Sequence, residues 1–217
     1  MGFIVIDGPN GAGKTTALSM LKKLGYYTFS SPHGTPLSSM LRDVCRGVGE
    51  WKELNSDVQL LLFAASRTDE YVRLVEPTIN RKGTIIADRW WTSTYVYQVC
   101  HGGSSERLFQ NTIYNNEKIE RIILLDAKDD TLIERVRAER EANAKHLLCR
   151  WTSDVEAIKK VAGYYRERLY PYITKHRFIP CSVIDTTIKT SEEVVSEITS
   201  IINKEANNNI LSYNYKF

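Results

Sequence analysis

Phe3-Ile4-Val5-Ile6-Asp7-Gly8-Pro9-Asn10-Gly11-Ala12-Gly13-Lys14-Thr15-Thr16 is the stretch whose reading decides the fold. Phe3–Ile6 is a short apolar, β-branched run, the pattern of a buried strand, and it opens at once into G-x-x-x-x-G-K-[ST], the phosphate-binding P-loop. Glycines let the backbone wrap a phosphate without Cβ clashes. The nest runs through Gly8, Asn10, Gly11, Ala12, Gly13, Lys14, Thr15 and Thr16. Its inward-pointing N–H groups are backed by the positive end of a helix that starts near Thr15. Lys14 falls where an ammonium meets the β- and γ-phosphates, and the Thr15 hydroxyl falls where Mg²⁺ takes a ligand. Ala17, Leu18, Leu21 and Leu24 supply the apolar pattern of the following helix. A plain glycine-rich turn explains neither flank, so the expected ligand is a nucleoside triphosphate, ATP with Mg²⁺.

The 217 residues suit one α/β domain, 1–217, with a single well-formed core. Hydrophobic residues make up 42% and charged residues 25%, which excludes a disordered or collagen-like chain. The net charge of +3, from 29 basic and 26 acidic residues, is too balanced for a protein that wraps nucleic acid. It suits small anionic substrates. Cys45, Cys100, Cys149 and Cys181 form no C-x-x-C pair, so neither a zinc site nor a disulfide frame is expected, and a reducing interior follows. Leu60–Ala65 is the longest apolar run, far short of a membrane span, and the N-terminus lacks the charged region of a signal peptide. A soluble, cytoplasmic protein is the expectation.

Read in order, Tyr26–Ser30 is a second strand, Ser31–Pro36 a loop and Leu37–Arg46 a helix. Asn55 caps a helix whose apolar period runs to about Val75, with a fresh turn at Pro77 before Ile79–Arg81. Thr84–Asp88 is the third strand, Trp91–Cys100 and Glu106–Asn115 are helices, and Arg121–Asp126 is the fourth strand. The helix Asp129–Glu141 leads to a basic, non-periodic segment, Ala142–Arg150. Val155–Tyr172 is a helix, Cys181–Asp185 the fifth strand and Ser191–Ile202 the last helix, before a polar, frayed tail at Asn207–Asn209. Five strands alternating with helices specify a three-layer α/β/α fold of the P-loop NTPase type, a five-stranded parallel sheet with a helical lid over about 137–152.

The third strand ends in Asp88-Arg89-Trp90. Ligands of doubly wound sheets sit at the carboxyl ends of the strands, which puts Asp88 beside the P-loop as a Mg²⁺ acid and aims Arg89 at an acceptor phosphate. An ordinary strand-end ion pair is the alternative. Phe63 and Arg67, four apart on one helix, pair an aromatic face with a hydrogen-bonding fork suited to a nucleobase, unless Phe63 is plain core.

The order GPNGAGKTT, LLFAASR, DRW and then S-T-x-x-Y-Q (Ser93, Thr94, Tyr97, Gln98) resembles the thymidylate kinases, from residue 2 to about 185. The resemblance implies that Phe63 stacks on thymine, Arg67 bonds a ring carbonyl and Thr94 makes a polar contact to the base. It places Tyr97 under a deoxyribose, Arg89 on the monophosphate and Asp88 at Mg²⁺ and the transferring phosphate, with Gln98 in support. It adds Asp7 and Pro32 to the substrate side and implies a homodimer through parts of Val58–Leu74 and Trp91–Cys100.

Departures matter equally. Where many members carry R-E-P-G-G-T-P, this chain has Ser30-Ser31-Pro32-His33-Gly34-Thr35-Pro36, without the Arg and the Glu. An acid common within the family's P-loop is Asn10 here, and the strand-end Glu is Asp7. Trp90, Trp91 and Tyr95 suggest an aromatic substrate rim and leave a modified or dUMP-type acceptor open. Because the P-loop has no Arg, the cation for the transition state is expected from the lid, with Arg137 and Arg140 favoured over Arg135, Lys145 and Arg150. The expected reaction is ATP + dTMP → ADP + dTDP. The other readings are a deoxynucleoside kinase using Asp7 or Asp88 as base, and an inactive nucleotide-binding regulator. The compact size and divergent loops suit a viral or phage enzyme.

Overall fold

The computed structural model describes residues 2–46, 54–113, 118–142 and 154–213, of which 43, 45, 46 and 205–213 are described as backbone only. Strands β1 (Phe3–Asp7), β2 (Tyr27–Ser30), β3 (Ile85–Asp88), β4 (Ile119–Asp126) and β5 (Cys181–Asp185) form one parallel sheet in the order β2-β3-β1-β4-β5. The alternation of apolar runs and helical patterns predicts this sheet. Every pairing is parallel because a helical crossover returns the chain to the same end of the sheet each time.

The register decides where polar strand ends gather. Asp88 lies opposite Ile6 of β1 and Ser30 of β2, so Ser30 and Asp88 share one rim, with Asp7 buried behind it. β1 alternates between the two faces. Phe3 and Val5 pack with Trp90, Trp91, Phe109 and Tyr172, whereas Ile4 and Ile6 pack with Ala17, Leu18, Leu21 and Ile198. Both faces of the central strand are therefore dry, which is why it reads as a continuous apolar run.

Helices α1 (Lys14–Lys23) and α2 (Pro36–Arg46) fall where the pattern puts them. Asn55 caps α3 (Ser56–Glu70), its side chain accepting from the Asp57 amide at 2.7 Å. The expected break near Val75 is absent. The helix widens into an i→i+5 turn over Tyr71–Val75 and continues as α4 (Glu76–Asn80), with Pro77 accommodated in its first turn. Similar wide turns follow α5 (Trp91–Thr94), over Tyr95–His101, and α8 (Val155–Tyr164), over Tyr165–Leu169. Another spans Tyr172–Arg177, beyond Pro171. Such turns insert a residue and rotate everything after it, which a 3.6-residue period does not reveal.

Helix α6 is Glu106–Asn111, α7 is Asp129–Ala142, and α9 extends over Ser191–Tyr213, through the tail expected to fray. Most of the expected lid, including Lys145 and Arg150, lies outside the described residues.

The aromatic rim is not found. Trp90, Trp91 and Tyr95 are core: Trp90 meets Phe3 edge-on at 5.1 Å, Trp91 meets Phe109 at 6.1 Å, and Tyr95 stacks on Tyr172 at 4.4 Å. Arg89 adopts φ 68, and this reversal sends the residues after it under the sheet rather than along its rim. Among the described residues no helix is long and apolar enough to cross a membrane.

Burial raises the thiol pKa of Cys100 to about 11 and that of Cys181 to about 12. A thiolate is the reactive form, so at pH 8 Cys100 should alkylate about a hundredfold, and Cys181 about a thousandfold, more slowly in the native chain than in urea. Peptide-resolved iodoacetamide labelling checks this.

Candidate active site

The loop after β1 is built by close approach. A Cβ on Gly8 (φ 145) would stand 2.0 Å from the Leu125 carbonyl oxygen, and one on Gly11 (φ 83) 2.8 Å from that of Leu132. Gly13 (φ 87) caps α1 and has nothing within 4 Å of its would-be Cβ, so the backbone faces an open cradle at the helix N-terminus. Lys14 is buried and folds back over the loop, donating to the Gly8 carbonyl at 2.9 Å and the Pro9 carbonyl at 2.7 Å. Burial, reinforced by repulsion from Arg89, lowers its pKa to about 7, against the pull of Asp88 and Asp7. An incoming phosphate supplies the anion that this site lacks. Thr15 is exposed at the mouth.

Beside the cradle lies a cavity of about 190 Å³ whose lining includes Ala12, Gly13, Thr16, Arg135 and Thr186. Arg135 of α7 donates to the Gly11 carbonyl at 3.2 Å, the Thr186 hydroxyl at 3.0 Å and the Thr186 carbonyl at 2.8 Å. It thereby stitches the P-loop to the segment after β5. Of the three α7 arginines, Arg135 is seen docked on the P-loop. Arg137 is exposed, two residues and about 200° round the helix from Arg135, and Arg140 is half-buried.

The Asp88 carboxyl sits at the rim with Oδ2 3.4 Å from the Ser30 hydroxyl. Its Oδ1 is buried with no hydrogen-bond partner among the described residues. Burial raises its pKa, with Arg89 and Lys14 pulling the other way. The unpartnered Asp88 oxygen and the exposed Thr15 hydroxyl are both hard-oxygen donors. They fit Mg²⁺, which takes one or two protein ligands and fills its octahedron with water and phosphate oxygens.

Asp7 is expected on the substrate side, but the structure puts it elsewhere. It is fully buried and accepts from the Gly8 amide (2.7 Å), Ser93 (2.9 Å), the Tyr165 hydroxyl (2.9 Å) and Arg89 (3.2 Å), with the Thr92 hydroxyl on Oδ2. Its acceptor capacity is filled, so no lone pair is left for a ligand. What it holds is Arg89. That guanidinium also donates to Asn10 Oδ1 at 2.6 Å, Ser93 at 2.9 Å, the Tyr165 hydroxyl at 3.1 Å and the Gly8 carbonyl at 3.4 Å, and lies 5.7 Å from the Tyr97 ring centroid.

On the acceptor side Phe63 is half-buried, and Arg67 is buried with one guanidinium nitrogen donating to the Thr94 hydroxyl at 2.6 Å. Gln98 is buried, its amide directed to Gln59 at 3.4 Å, so it braces two helices rather than facing a ligand. Pro32 lies in the loop that follows β2. Sequence reasoning missed Tyr165, Thr92 and Glu70, and named Arg135 only as a less favoured lid cation. Of the three missed residues Glu70 carried a signal, an acid at the i+7 position from Phe63 and i+3 from Arg67, on the inward face of α3.

Arg89 offers a sharp test, because a non-glycine residue with φ 68 is strained by about 1 kcal/mol. Arg89→Ala and Arg89→Gly both remove the counter-ion of buried Asp7, and each should cost about 3–5 kcal/mol. Glycine, usually the worse choice, should here leave the chain about 1 kcal/mol more stable than alanine does. Urea denaturation of the two variants measures that order.

The family model for thymidylate kinase matches residues 6–164. A thymidylate kinase of Pseudomonas fluorescens is 35% identical over 102 residues, 44% of this chain and 48% of that protein. One of Francisella tularensis is 32% identical over 134 residues, covering 57% and 64%. The alignment with the "Probable thymidylate kinase" of Pyrobaculum calidifontis is 28% identical and spans 93% of this chain and 96% of that one. These alignments thus range from about half of a relative's length to nearly all of it. Among solved structures, the thymidylate kinase of Ehrlichia chaffeensis superposes with a TM-score of 0.65 at 22% identity, covering 93% of this chain and 98% of that one, which is a likeness of fold. With the model spanning the P-loop, the Asp88–Arg89 rim and most of α8, the chain belongs to the thymidylate kinase family.

Proposed function

We propose that this chain transfers the γ-phosphoryl group of ATP to dTMP, giving ADP and dTDP, as a single cytoplasmic domain over 1–217. The observation that carries the reading is the placement of Arg89. It bonds the P-loop through Asn10 and Gly8 and the acceptor helix through Ser93, and the next residue, Thr94, holds Arg67. One fixed cation thus stands between a triphosphate cradle and a pair of groups suited to a pyrimidine edge.

The steps balance simply. An oxygen of the acceptor monophosphate forms the new P–O bond to the γ-phosphorus, the β–γ bridging bond breaks, and ADP leaves. That oxygen is already anionic, so no general base is needed and catalysis is positioning and charge neutralisation. Lys14 covers the β/γ oxygens and Arg89 orients the acceptor phosphate. Phe63, Arg67 and Thr94 receive the base, and Tyr97 packs under the sugar. Thr15 and Asp88 would hold Mg²⁺, which when bound offsets charge on the phosphate oxygens. A lid cation from Arg140, Arg137 or the segment after Ala142 completes the neutralisation.

The alternatives are weaker. A kinase acting on a neutral 5′-hydroxyl needs a carboxylate base; Asp7 is saturated by its donors, and Asp88 is the carboxyl assigned to Mg²⁺. With Trp90, Trp91 and Tyr95 in the core, the case for a modified pyrimidine loses its support.

The homodimer is proposed on an exposed stripe. Val58, Leu61, Ala65 and Val72 follow at helical spacing along α3 and its extension, with Met40 of α2 70% exposed. A second copy would cover this stripe. The expected share from Trp91–Cys100 is withdrawn, because residues 91–98 are already buried within one chain.

In a coupled ADP-release assay with ATP and Mg²⁺, dTMP should be the best acceptor among the canonical deoxynucleoside monophosphates and thymidine. Arg89→Ala should lower kcat/KM at least about a hundredfold. Turnover on thymidine without dTMP would refute the reading. In sedimentation at micromolar concentration the wild type should run as a dimer and Leu61→Glu as a folded monomer, since a buried charge in that stripe has no partner.

A further inference from the structure

The loop after β2 lacks the Arg and Glu of the common motif, yet it is tightly held, and the hold comes from another element. Glu70, in the last turn of α3, is fully buried. Its Oε1 accepts from the His33 amide at 3.0 Å and the Gly34 amide at 2.8 Å, and its Oε2 accepts from the Ser31 hydroxyl at 2.6 Å. All three donors are neutral. A buried carboxylate is costly unless its donors are well placed.

Neighbouring contacts tighten the same seam. Asp69 accepts from Arg73 at 2.6 Å, and the Thr35 hydroxyl close by, together with Arg73, holds its carboxyl below the usual range. Gly34 lies so close to α3 that a Cβ would fall 2.8 Å from Leu74 Cδ1, 2.8 Å from Phe29 Cδ2 and 3.2 Å from Glu70 Oε1. The Ser31 amide donates to the Asp88 carbonyl at 2.9 Å, which ties the loop's other end to the catalytic rim. The loop is therefore stapled between the end of β3 and the face of α3 that carries Phe63 and Arg67.

We propose that Glu70 is a positioning residue for the acceptor base. From the helix it holds Ser31–Gly34, with Pro32 between, as the fixed wall of the acceptor slot that Phe63 and Arg67 also line. This rests on the acceptor reading given above. Glu70 acts through the loop, so its loss widens the acceptor slot and leaves the triphosphate cradle alone.

The test is a split between substrates. Glu70→Ala should raise the KM for dTMP by about tenfold or more, with the KM for ATP and kcat changed less than about threefold. Glu70→Gln should restore most of the loss, because its carbonyl oxygen still accepts both amides and its NH₂ can donate to Ser31. Gly34→Ala, which leaves the carboxylate in place but forces the loop off α3, should reproduce the Glu70→Ala pattern. Should Glu70→Ala fail to fold, Ser31→Ala removes only the 2.6 Å bond and should raise the dTMP KM by about threefold.

Independently of turnover, the His33 and Gly34 amides should exchange with solvent slowly in the wild type and in Glu70→Gln. In Glu70→Ala they should exchange at least about tenfold faster. Equal rises in both KM values, or unchanged exchange at His33 and Gly34 in a folded Glu70→Ala chain, would overturn the proposal. A wild type silent on every acceptor would instead overturn the acceptor reading, and the exchange rates would still decide the tether.

Discussion

A carboxylate removed from water must have its lone pairs filled, and Asp7 meets that demand with donors from four separate parts of the chain. The Gly8 amide starts the P-loop, Thr92 and Ser93 belong to α5, Tyr165 to the wide turn after α8, and Arg89 to the end of β3. Burial raises the Tyr165 pKa well above its ordinary value, with the Asp7 charge acting in the same direction, so the phenol stays protonated and donates. Burial opposes the Arg89 charge, but Tyr97, Tyr165, Asp7 and Asp88 outweigh it. Breaking such a pair on one side costs about 3–5 kcal/mol, because the other charge is left stranded. The carboxylate that looks like a substrate ligand is instead the joint on which acceptor helix, lid-side helix and P-loop are hung.

The second constraint is the strand register. With Ile6 opposite Asp88 and Asp88 opposite Ser30, β2 and β3 finish level and β1 one residue beyond, so Ser30 and Asp88 lie on the rim while Asp7 is buried behind it. The unpartnered Asp88 oxygen and the depressed Lys14 pKa are two faces of the same condition. Each is a buried polar group, and under the proposed reading a phosphate anion and a hydrated cation would satisfy both at once.

The Ser31–Thr35 loop is held in place although it lacks the Arg and Glu of the common motif. The absence of the Arg and Glu reads, in sequence, as a weakened loop. In space the loop meets Asp69 and Glu70, whose carboxyls come from another element. An inward-facing acid three residues after Arg67 was visible in the pattern, but its partners are 36 to 39 residues away in the chain. No local period encodes them.

The sequence by itself determined the five strands, their alternation with helices, the glycine-built cradle with Lys14 and Thr15, and the Asp88–Arg89 rim. Each of these depends on backbone sterics, burial of alternating faces or strand-end placement, and such rules act within a few residues of the chain. Only the tertiary structure decided that Asp7 is saturated, that Trp90, Trp91 and Tyr95 are core, and that Arg135 is seen docked on the P-loop. The same is true of Tyr165 and Glu70, which join the site from afar. Those outcomes depend on wide helical turns that reset the facing of side chains, and on hydrogen bonds between groups as much as 158 residues apart. Their pairing is settled by which buried donors and acceptors remain to be satisfied once the layers have packed.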